Sequence, residues 1–224
     1  MESDKDQAAE GPESSSMTTK TLVYISACAV TLLLAGWGGK ILYPKYYALE
    51  IPPTPRPALS TEATDDARQT VTVAVRQFET PAYLRRGRIV YRPAPEEIGF
   101  YEYHRWADDP GATVTTAVID SLRSSRLFSF VTPYDGHNRQ DYLLSGQLER
   151  LEEIDYGGDV RVEAKLSAES VNTRTGATMW TGDASETLRV DTRNVNSVVV
   201  EMSHAVQRSI DQLVASLDQQ LLVK

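Results

Sequence analysis

The stretch Val160-Arg161-Val162-Glu163-Ala164-Lys165-Leu166-Ser167-Ala168-Glu169 decides the fold of this chain. Apolar and polar side chains alternate strictly along it, and successive residues of a β-strand point to opposite faces of a sheet. One face of this strand is therefore predicted to cover a hydrophobic core while the other meets water. A turn-forming segment, 172–176, follows, and residues 179–190 are predicted to return as the hairpin partner.

A long helix is predicted from about Val195 to Leu222. Its apolar residues recur every three or four positions and so share one helical face; they are Val195, Val199, Met202, Val206, Ile210, Leu213, Leu217 and Leu221. Asp109-Pro110-Gly111 indicates the start of a second helix. Further strands are predicted over residues 70–78, 88–92, 98–106, 127–131 and 142–148. This mixture predicts an α+β class, in which a mostly antiparallel or mixed sheet is packed by the two helices in a single domain.

The N-terminal third of the chain has a different composition. Residues 1–20 are polar and are predicted to be a disordered tail. The uncharged segment 21–39 has the length of a membrane span and is predicted to be a transmembrane helix that acts as a signal anchor. The side chains assigned to this anchor are Leu22, Val23, Ile25, Val30, Leu32, Leu33, Leu34 and Trp37. Residues 40–66 are predicted to form a semi-rigid, proline-rich stalk, and residues 67–224 the folded domain.

Two alternatives remain open for this N-terminal segment. A secretory signal peptide that is cleaved near Ala35-Gly36 would remove it from the mature chain. Met17 is an alternative start, which would leave a short basic segment ending at Lys20.

Composition and motifs argue against several classes of function. The net charge is −8, so an acidic surface is expected, which does not suit a nucleic acid or an anionic lipid headgroup. The three histidines have no metal-site spacing, and no Gly-x-Ser-x-Gly element is present. The acidic residues at 149, 152, 153 and 155 are interpreted as a solvated strand end. We therefore predict no catalytic residue, cofactor or metal site, and no enzymatic activity.

An aromatic group offers a candidate interaction surface. Tyr101, Tyr103 and Trp106 lie in the predicted strand 98–106, and Tyr46 with Tyr47 lie at the start of the stalk. Aromatic side chains with a polar group are enriched at interfaces. The alternative is that about half of the aromatic side chains simply belong to the core.

Several short fragments, taken in order, carry a resemblance to a known family. They are Tyr46-Tyr47-Ala48-Leu49, Tyr83-Leu84, Arg88-Ile89-Val90-Tyr91-Arg92, Tyr103-His104-Arg105-Trp106-Ala107-Asp108, Leu144-Ser145-Gly146, Glu152-Glu153-Ile154-Asp155 and Trp180-Thr181-Gly182. Over residues 46–222 the chain resembles the ABC-type transport auxiliary lipoprotein family of Mce-type lipid transport systems.

The resemblance implies a membrane-anchored accessory subunit that acts by protein–protein contact in the periplasm of a Gram-negative bacterium. It implies a Mce-domain subunit and an ABC permease as partners, together with membrane lipid and a homo-oligomer as a further option, and no nucleic acid. A second hypothesis is an independent periplasmic carrier that holds lipid itself.

One departure from the family pattern affects the anchor. Family members are usually outer-membrane lipoproteins with a Leu-Ala-Gly-Cys sequence before the Tyr-Tyr motif, whereas here Leu34-Ala35-Gly36 precedes Trp37, which cannot be acylated. Cys28 follows a lipoprotein-like Ile25-Ser26-Ala27, but an apolar run follows it where lipoproteins become polar. An uncleaved helix in the inner membrane is therefore expected, with acylation at Cys28 and an outer-membrane location as the alternative.

Overall fold

The computed structural model describes residues 42–52, 71–137 and 140–222. The predicted tail 1–20, the predicted anchor 21–39 with Cys28, and stalk residues 53–66 lie outside the described residues. Across the three described ranges, no helix combines the length and the hydropathy that a membrane span requires.

The described residues form an α+β domain with eight strands and two helices. This confirms the predicted class, and the strand β1 is additional to the strands that the sequence predicted. The elements are β1 Lys45–Tyr47, β2 Thr72–Val75, β3 Arg88–Ala94, β4 Glu97–Trp106, α1 Pro110–Ser125, β5 Phe130–Pro133, β6 Tyr142–Ile154, β7 Arg161–Asn172, β8 Thr178–Arg189 and α2 Val195–Leu222. A short 3-10 turn, Leu84–Arg86, leads into β3. The helix α2 has the bounds expected from its apolar repeat.

All eight strands belong to one mixed sheet that is organised around β6. Along one side β6 pairs with antiparallel β7, which pairs with antiparallel β8. The other side of β6 is shared, since its first residues pair with parallel β2 and its last residues with parallel β3. From there β2 continues to parallel β5, and β3 continues through antiparallel β4 to parallel β1. The strand β1 is therefore at an edge of the sheet.

The core lies between the sheet and the two helices. The helix α2 packs across β7 and β8, and α1 packs against β5 and α2. Met202, Val206 and Ile210 of the predicted stripe are completely buried. The helix α1 begins where predicted, because the Asp109 carboxylate accepts a hydrogen bond of 3.2 Å from the Gly111 N–H and caps the helix.

A row of small residues crosses the core face of the sheet. Gly146 pairs with Ala168, and Ala168 pairs with Gly182. A Cβ atom at Gly146 would lie 2.3 Å from the Phe78 ring, and one at Gly182 would lie 2.3 Å from the Trp180 ring. The missing side chains thus provide the space in which the two aromatic rings are buried.

The structure corrects the N-terminal boundary of the domain. Residues 45–47, which the sequence assigned to the stalk, form β1, and the compact unit begins at Pro44. Leu49 is buried in the core, and the Glu50 N–H donates a hydrogen bond of 3.2 Å to Ser203 Oγ of α2. A three-residue strand is too short to show alternation, and its partner β4 lies far along the sequence, so the pattern alone did not indicate it.

Candidate functional site

Four rings form a continuous group along β1, β4 and β3. The parallel pairing of β1 with β4 brings the Tyr47 hydroxyl to 2.8 Å from His104 Nδ1, with the two ring centroids 5.5 Å apart. The His104 ring lies 5.5 Å from the Tyr101 ring in an edge-on arrangement, and Tyr101 lies 5.1 Å from Tyr91. We call Tyr47, His104, Tyr101 and Tyr91 the aromatic row.

An irregularity in β4 sets the direction of these side chains. Arg88 of β3 pairs with Arg105, and Val90 pairs with Phe100, so residues 101–104 of β4 face the single residue Ile89. Such bulges bend a strand and re-aim its side chains. Here Tyr101 packs against the core, whereas Tyr103 remains 38% exposed.

A buried carboxyl group ends the aromatic row. The Tyr101 hydroxyl donates a hydrogen bond of 2.6 Å to Glu153 Oε2, and Glu153 is only 2% exposed. Burial raises the pKa of Glu153, while the hydrogen bond from Tyr101 acts in the opposite direction. Burial and the same hydrogen bond hold the pKa of Tyr101 well above its ordinary value. Tyr101 therefore remains a donor throughout the physiological range of pH.

The neighbouring carboxylate is stabilised differently. Successive residues of a strand point to opposite faces, so Glu152 and Glu153 lie on opposite faces of the sheet. The register shift in β6 between Leu148 and Arg150 decides which face each of them takes. Glu152 is fully buried and accepts two hydrogen bonds from Arg92, of 2.7 and 3.0 Å. The bond to Glu152 raises the pKa of Arg92. The interpretation of these acidic residues as a solvated strand end is therefore wrong, since β6 continues through them to Ile154.

The five residues of the predicted interaction surface have different environments. Tyr46 is 64% exposed on β1, and Tyr103 is exposed in the β4 irregularity. Tyr47 and Tyr101 are half-buried in the aromatic row. Trp106 is 4% exposed and belongs to the core, because it lies on the face of β4 that packs inward. Of these five residues, Tyr46 and Tyr103 are therefore the two whose rings are exposed to a partner.

The three histidines have different environments in the structure. Burial, with a smaller effect of Lys45, lowers the pKa of His104, while His137 and His204 are exposed. Among residues 42–52, 71–137 and 140–222, no group of three or more His, Cys, Asp or Glu side chains has an arrangement that could hold a metal ion.

Two hollows bear on the hypothesis of a lipid carrier. The apolar one, between the helices and the sheet beside Phe78, Trp180 and Leu217, has a volume of about 10 Å³. This is about the space of one water molecule, so it cannot hold an acyl chain. The larger one, of about 540 Å³, is open to solvent and polar, with Arg76, Gln147, Glu169 and Asp183 in its lining. Neither hollow offers an enclosed apolar groove.

Residues that the sequence analysis did not single out complete the site. Tyr91 and His104 join the aromatic row, and Glu153 anchors it. A signal for the buried glutamates was present, because apolar Leu151 and Ile154 flank them directly. No sequence signal indicated that a register shift would turn Glu153 toward Tyr101.

Comparison with known proteins gives a family match over most of the domain. A family model described as the ABC-type transport auxiliary lipoprotein component matches residues 47–218. The chain is also similar to the crystal structure of a Xanthomonas campestris protein assigned to the DUF330 family. The TM-score is 0.63 at 19% identity, and the match covers 76% of this chain and 92% of that chain.

A second crystal structure, of a protein described as uncharacterized, gives a TM-score of 0.58 at 13% identity and covers 78% of this chain and 99% of that chain. A search of the curated proteins finds no match. At these identities the two structures support the fold alone.

Proposed function

The chain belongs to the family of ABC-type transport auxiliary lipoprotein components, and from this premise we propose that it is a membrane-anchored accessory subunit of a Mce-type ABC lipid transport system. It acts by protein–protein contact in the periplasm of a Gram-negative bacterium, with a Mce-domain subunit and an ABC permease as its partners. The members of this family are described as transport auxiliary components, and the family is not a class of enzymes.

The exposed rings of Tyr46 and Tyr103 carry this proposal. The backbone of each residue is held by the sheet. Tyr46 lies on β1, which pairs with β4 and precedes the buried Leu49, and Tyr103 lies on β4 between the half-buried residues Tyr101 and His104. A tyrosine ring supplies a large contact area at a small cost in conformational entropy, and its hydroxyl keeps it soluble when unbound. These two rings are therefore suited to a protein contact.

The anchor of this subunit is the apolar segment 21–39, held uncleaved in the inner membrane. A tether raises the effective concentration of the domain near a membrane-embedded partner. Acylation at Cys28 is the alternative, and it would place the subunit at the outer membrane.

Co-purification from native membranes tests the proposal. The tagged full-length chain is expected to bring down a Mce-domain protein and a permease, and Tyr46→Ala with Tyr103→Ala is expected to reduce their yield at least tenfold without lowering the melting temperature. Phe130→Ala is the matched control, because Phe130 is a 60% exposed ring at the distant β5 edge. Unchanged yield from the double variant would exclude this surface, and recovery of the chain without any transporter subunit would exclude the function.

A further inference from the structure

Five cations lie around one end of the sheet although the protein is acidic overall. Lys45 begins β1, Arg85 and Arg86 lie in the 3-10 turn, Arg88 begins β3, and Arg105 lies near the end of β4. We call these five residues the basic patch.

Strand pairing brings Arg88 and Arg105 of the basic patch onto one face, whereas Lys45, which pairs with His104, lies on the other face of the edge strand. Arg88 lies directly opposite Arg105, and Arg105 lies directly opposite Tyr46. Residues that pair across strands share a face of the sheet, so two guanidinium groups and an exposed tyrosine ring form a row over three strands. Arg86 adds a guanidinium 5.3 Å from the centroid of the Phe100 ring.

None of these five cations forms an ion pair within the described residues. On β6, β7 and β8, by contrast, Lys165 pairs with Glu149 and Arg150 with Glu163. Like charges directly opposite each other destabilise a sheet, so the Arg88–Arg105 pair acts against the stability of the free domain. A ligand with negative charge would relieve that repulsion.

The local charge is positive even when the nearby carboxylates are included. Glu97 begins β4 at the opposite end of the strand. Near the basic patch, the acidic residues on or shortly after β1 and β4 are Glu50, Glu102 and Asp108, and all three are exposed. They leave an excess of two cations in a chain whose net charge is −8. The expectation that an acidic protein does not suit an anionic surface therefore does not apply at this edge.

Chain length limits how far the basic patch can lie from a membrane. Lys45 is six residue steps beyond Gly39, the end of the predicted anchor. An extended chain spans at most about 3.6 Å per step, or about 22 Å here. Leu42 and Tyr43, just before β1, are 57% and 78% exposed. Arginine guanidinium groups bind phosphate, and tyrosine rings favour the headgroup level of a bilayer.

We propose that the basic patch rests on the anionic phospholipid headgroups of the membrane that holds the anchor. The proposal relies on the anchor of the proposed function for its proximity and goes beyond it by naming what the domain touches. It is compatible with the contact proposed for Tyr46 and Tyr103, because a permease is itself embedded in that membrane.

Site-directed fluorescence in nanodiscs tests this contact. The full-length chain carries Cys28→Ser and a fluorophore on Ala48→Cys, an exposed position directly after β1, and nitroxide-labelled headgroups serve as quencher. We expect quenching in discs that contain phosphatidylglycerol, little quenching in discs of phosphatidylcholine alone, and loss of the signal at high salt.

Charge variants distinguish the effect of the basic patch on membrane binding from the effect of the overall charge of the protein. Each cation near an anionic leaflet contributes about fivefold to binding, so Arg88→Gln with Arg105→Gln should shift the equilibrium from the surface-bound to the free domain by about 25-fold. The melting temperature should stay equal or rise, because the like-charge pair is removed. Arg174→Gln with Arg208→Gln, at exposed positions elsewhere, should change neither property. If the first pair fails to fold, Lys45→Gln with Arg85→Gln serves in its place.

The outcomes distinguish this inference from the proposed function. Equal quenching in the two kinds of disc would overturn the headgroup contact and would favour an acidic protein face as the occupant. A chain that does not remain with neutral discs would refute the anchor instead. Vesicle flotation would then test whether the basic patch binds headgroups. The proposal requires the chain to float with phosphatidylglycerol vesicles and not with phosphatidylcholine vesicles.

Discussion

At the scale of residues, two adjacent glutamates show how a strand can bury carboxyl groups on both of its faces. Glu152 is neutralised by a two-bond contact with Arg92, which is the stronger geometry for a buried carboxylate. Glu153 has the Tyr101 hydroxyl as its hydrogen-bond donor. Within the part of the chain that the structure describes, no cation is bonded to Glu153. Burial therefore controls the protonation of Glu153, and the contribution of this residue to the stability of the domain depends on pH.

Replacing Tyr101 by phenylalanine tests this pair. Among the described residues Tyr101 is the one hydrogen-bond donor to the buried Glu153, and its loss should cost about 1–3 kcal/mol in the free energy of unfolding. The pKa of Glu153 in the folded state lies above that in the unfolded chain, so the folded state holds the proton more tightly, and stability falls as pH rises from about 4.3 through the raised value. The substitution raises the pKa of Glu153 further. The variant should therefore lose more free energy of unfolding at neutral pH than at a pH below the pKa of Glu153 in the unfolded chain.

Denaturant unfolding at the two pH values measures this difference. Tyr91→Phe is the control, since it keeps a ring of the aromatic row and removes a hydroxyl that is not bonded to Glu153. A loss that is the same at both pH values would show that the Tyr101 hydroxyl does not control the ionisation of Glu153.

The motif Leu144-Ser145-Gly146 has a packing role at the same scale. A methyl group at Gly146 would meet the Phe78 ring at 2.3 Å and the Ser167 carbonyl oxygen at 2.8 Å. Gly146→Ala should therefore destabilise the domain by about 1–3 kcal/mol through overpacking. Thermal unfolding checks this, with Ser145→Ala as the neighbouring control. If the two variants have the same melting temperature, the sheet relaxes around the added methyl group and the predicted overpacking is contradicted.

At the scale of elements, the sequence predicted the position of a strand or helix best where its hydrophobic repeat continues without interruption. The strand β7 and the helix α2 follow their patterns over their whole lengths, so both were located closely. The strand β6 was predicted only to Leu148, because a register shift there exchanges the two faces and ends the alternation. The aromatic strand β4 was located correctly, but the direction of Tyr101 and the burial of Trp106 follow from pairing with β3 and β1, which no local pattern contains.

The stripe of α2 gives a direct measure of how strongly one element stabilises the domain. Leu213 is 5% exposed among the residues between α2 and the sheet, and truncation of a buried leucine costs about 2–5 kcal/mol. Leu213→Ala should lower the free energy of unfolding by that amount and should therefore lower the midpoint of urea denaturation. Gln219→Ala, at an exposed position of the same helix, should leave the midpoint nearly unchanged. Equal shifts would contradict the assigned helical phase.

At the scale of the whole molecule, chemistry and charge are distributed unevenly. Two ion pairs, Arg150 with Glu163 and Lys165 with Glu149, join β6 to β7. The strands β1, β3 and β4 instead carry the basic patch together with the exposed rings of Tyr46 and Tyr103. The aromatic residues of this site were visible in the sequence. The charge asymmetry was not, because the cations come from three separated segments and collect only when β1 joins the sheet.

The contacts of β1 also impose an order in time on folding. Tyr47 meets His104, and Glu50 bonds to Ser203, 153 residues later in the chain. The hairpins from β6 to β8, in contrast, join residues that are close in sequence, and such local contacts form early. A chain that is synthesised from its N-terminus therefore carries β1 unpaired until β4 has emerged, and the hydrogen bond from Glu50 to Ser203 cannot form until α2 has emerged as well. The strand that is made first is thus fixed in two steps, and the second step needs the last helix of the domain.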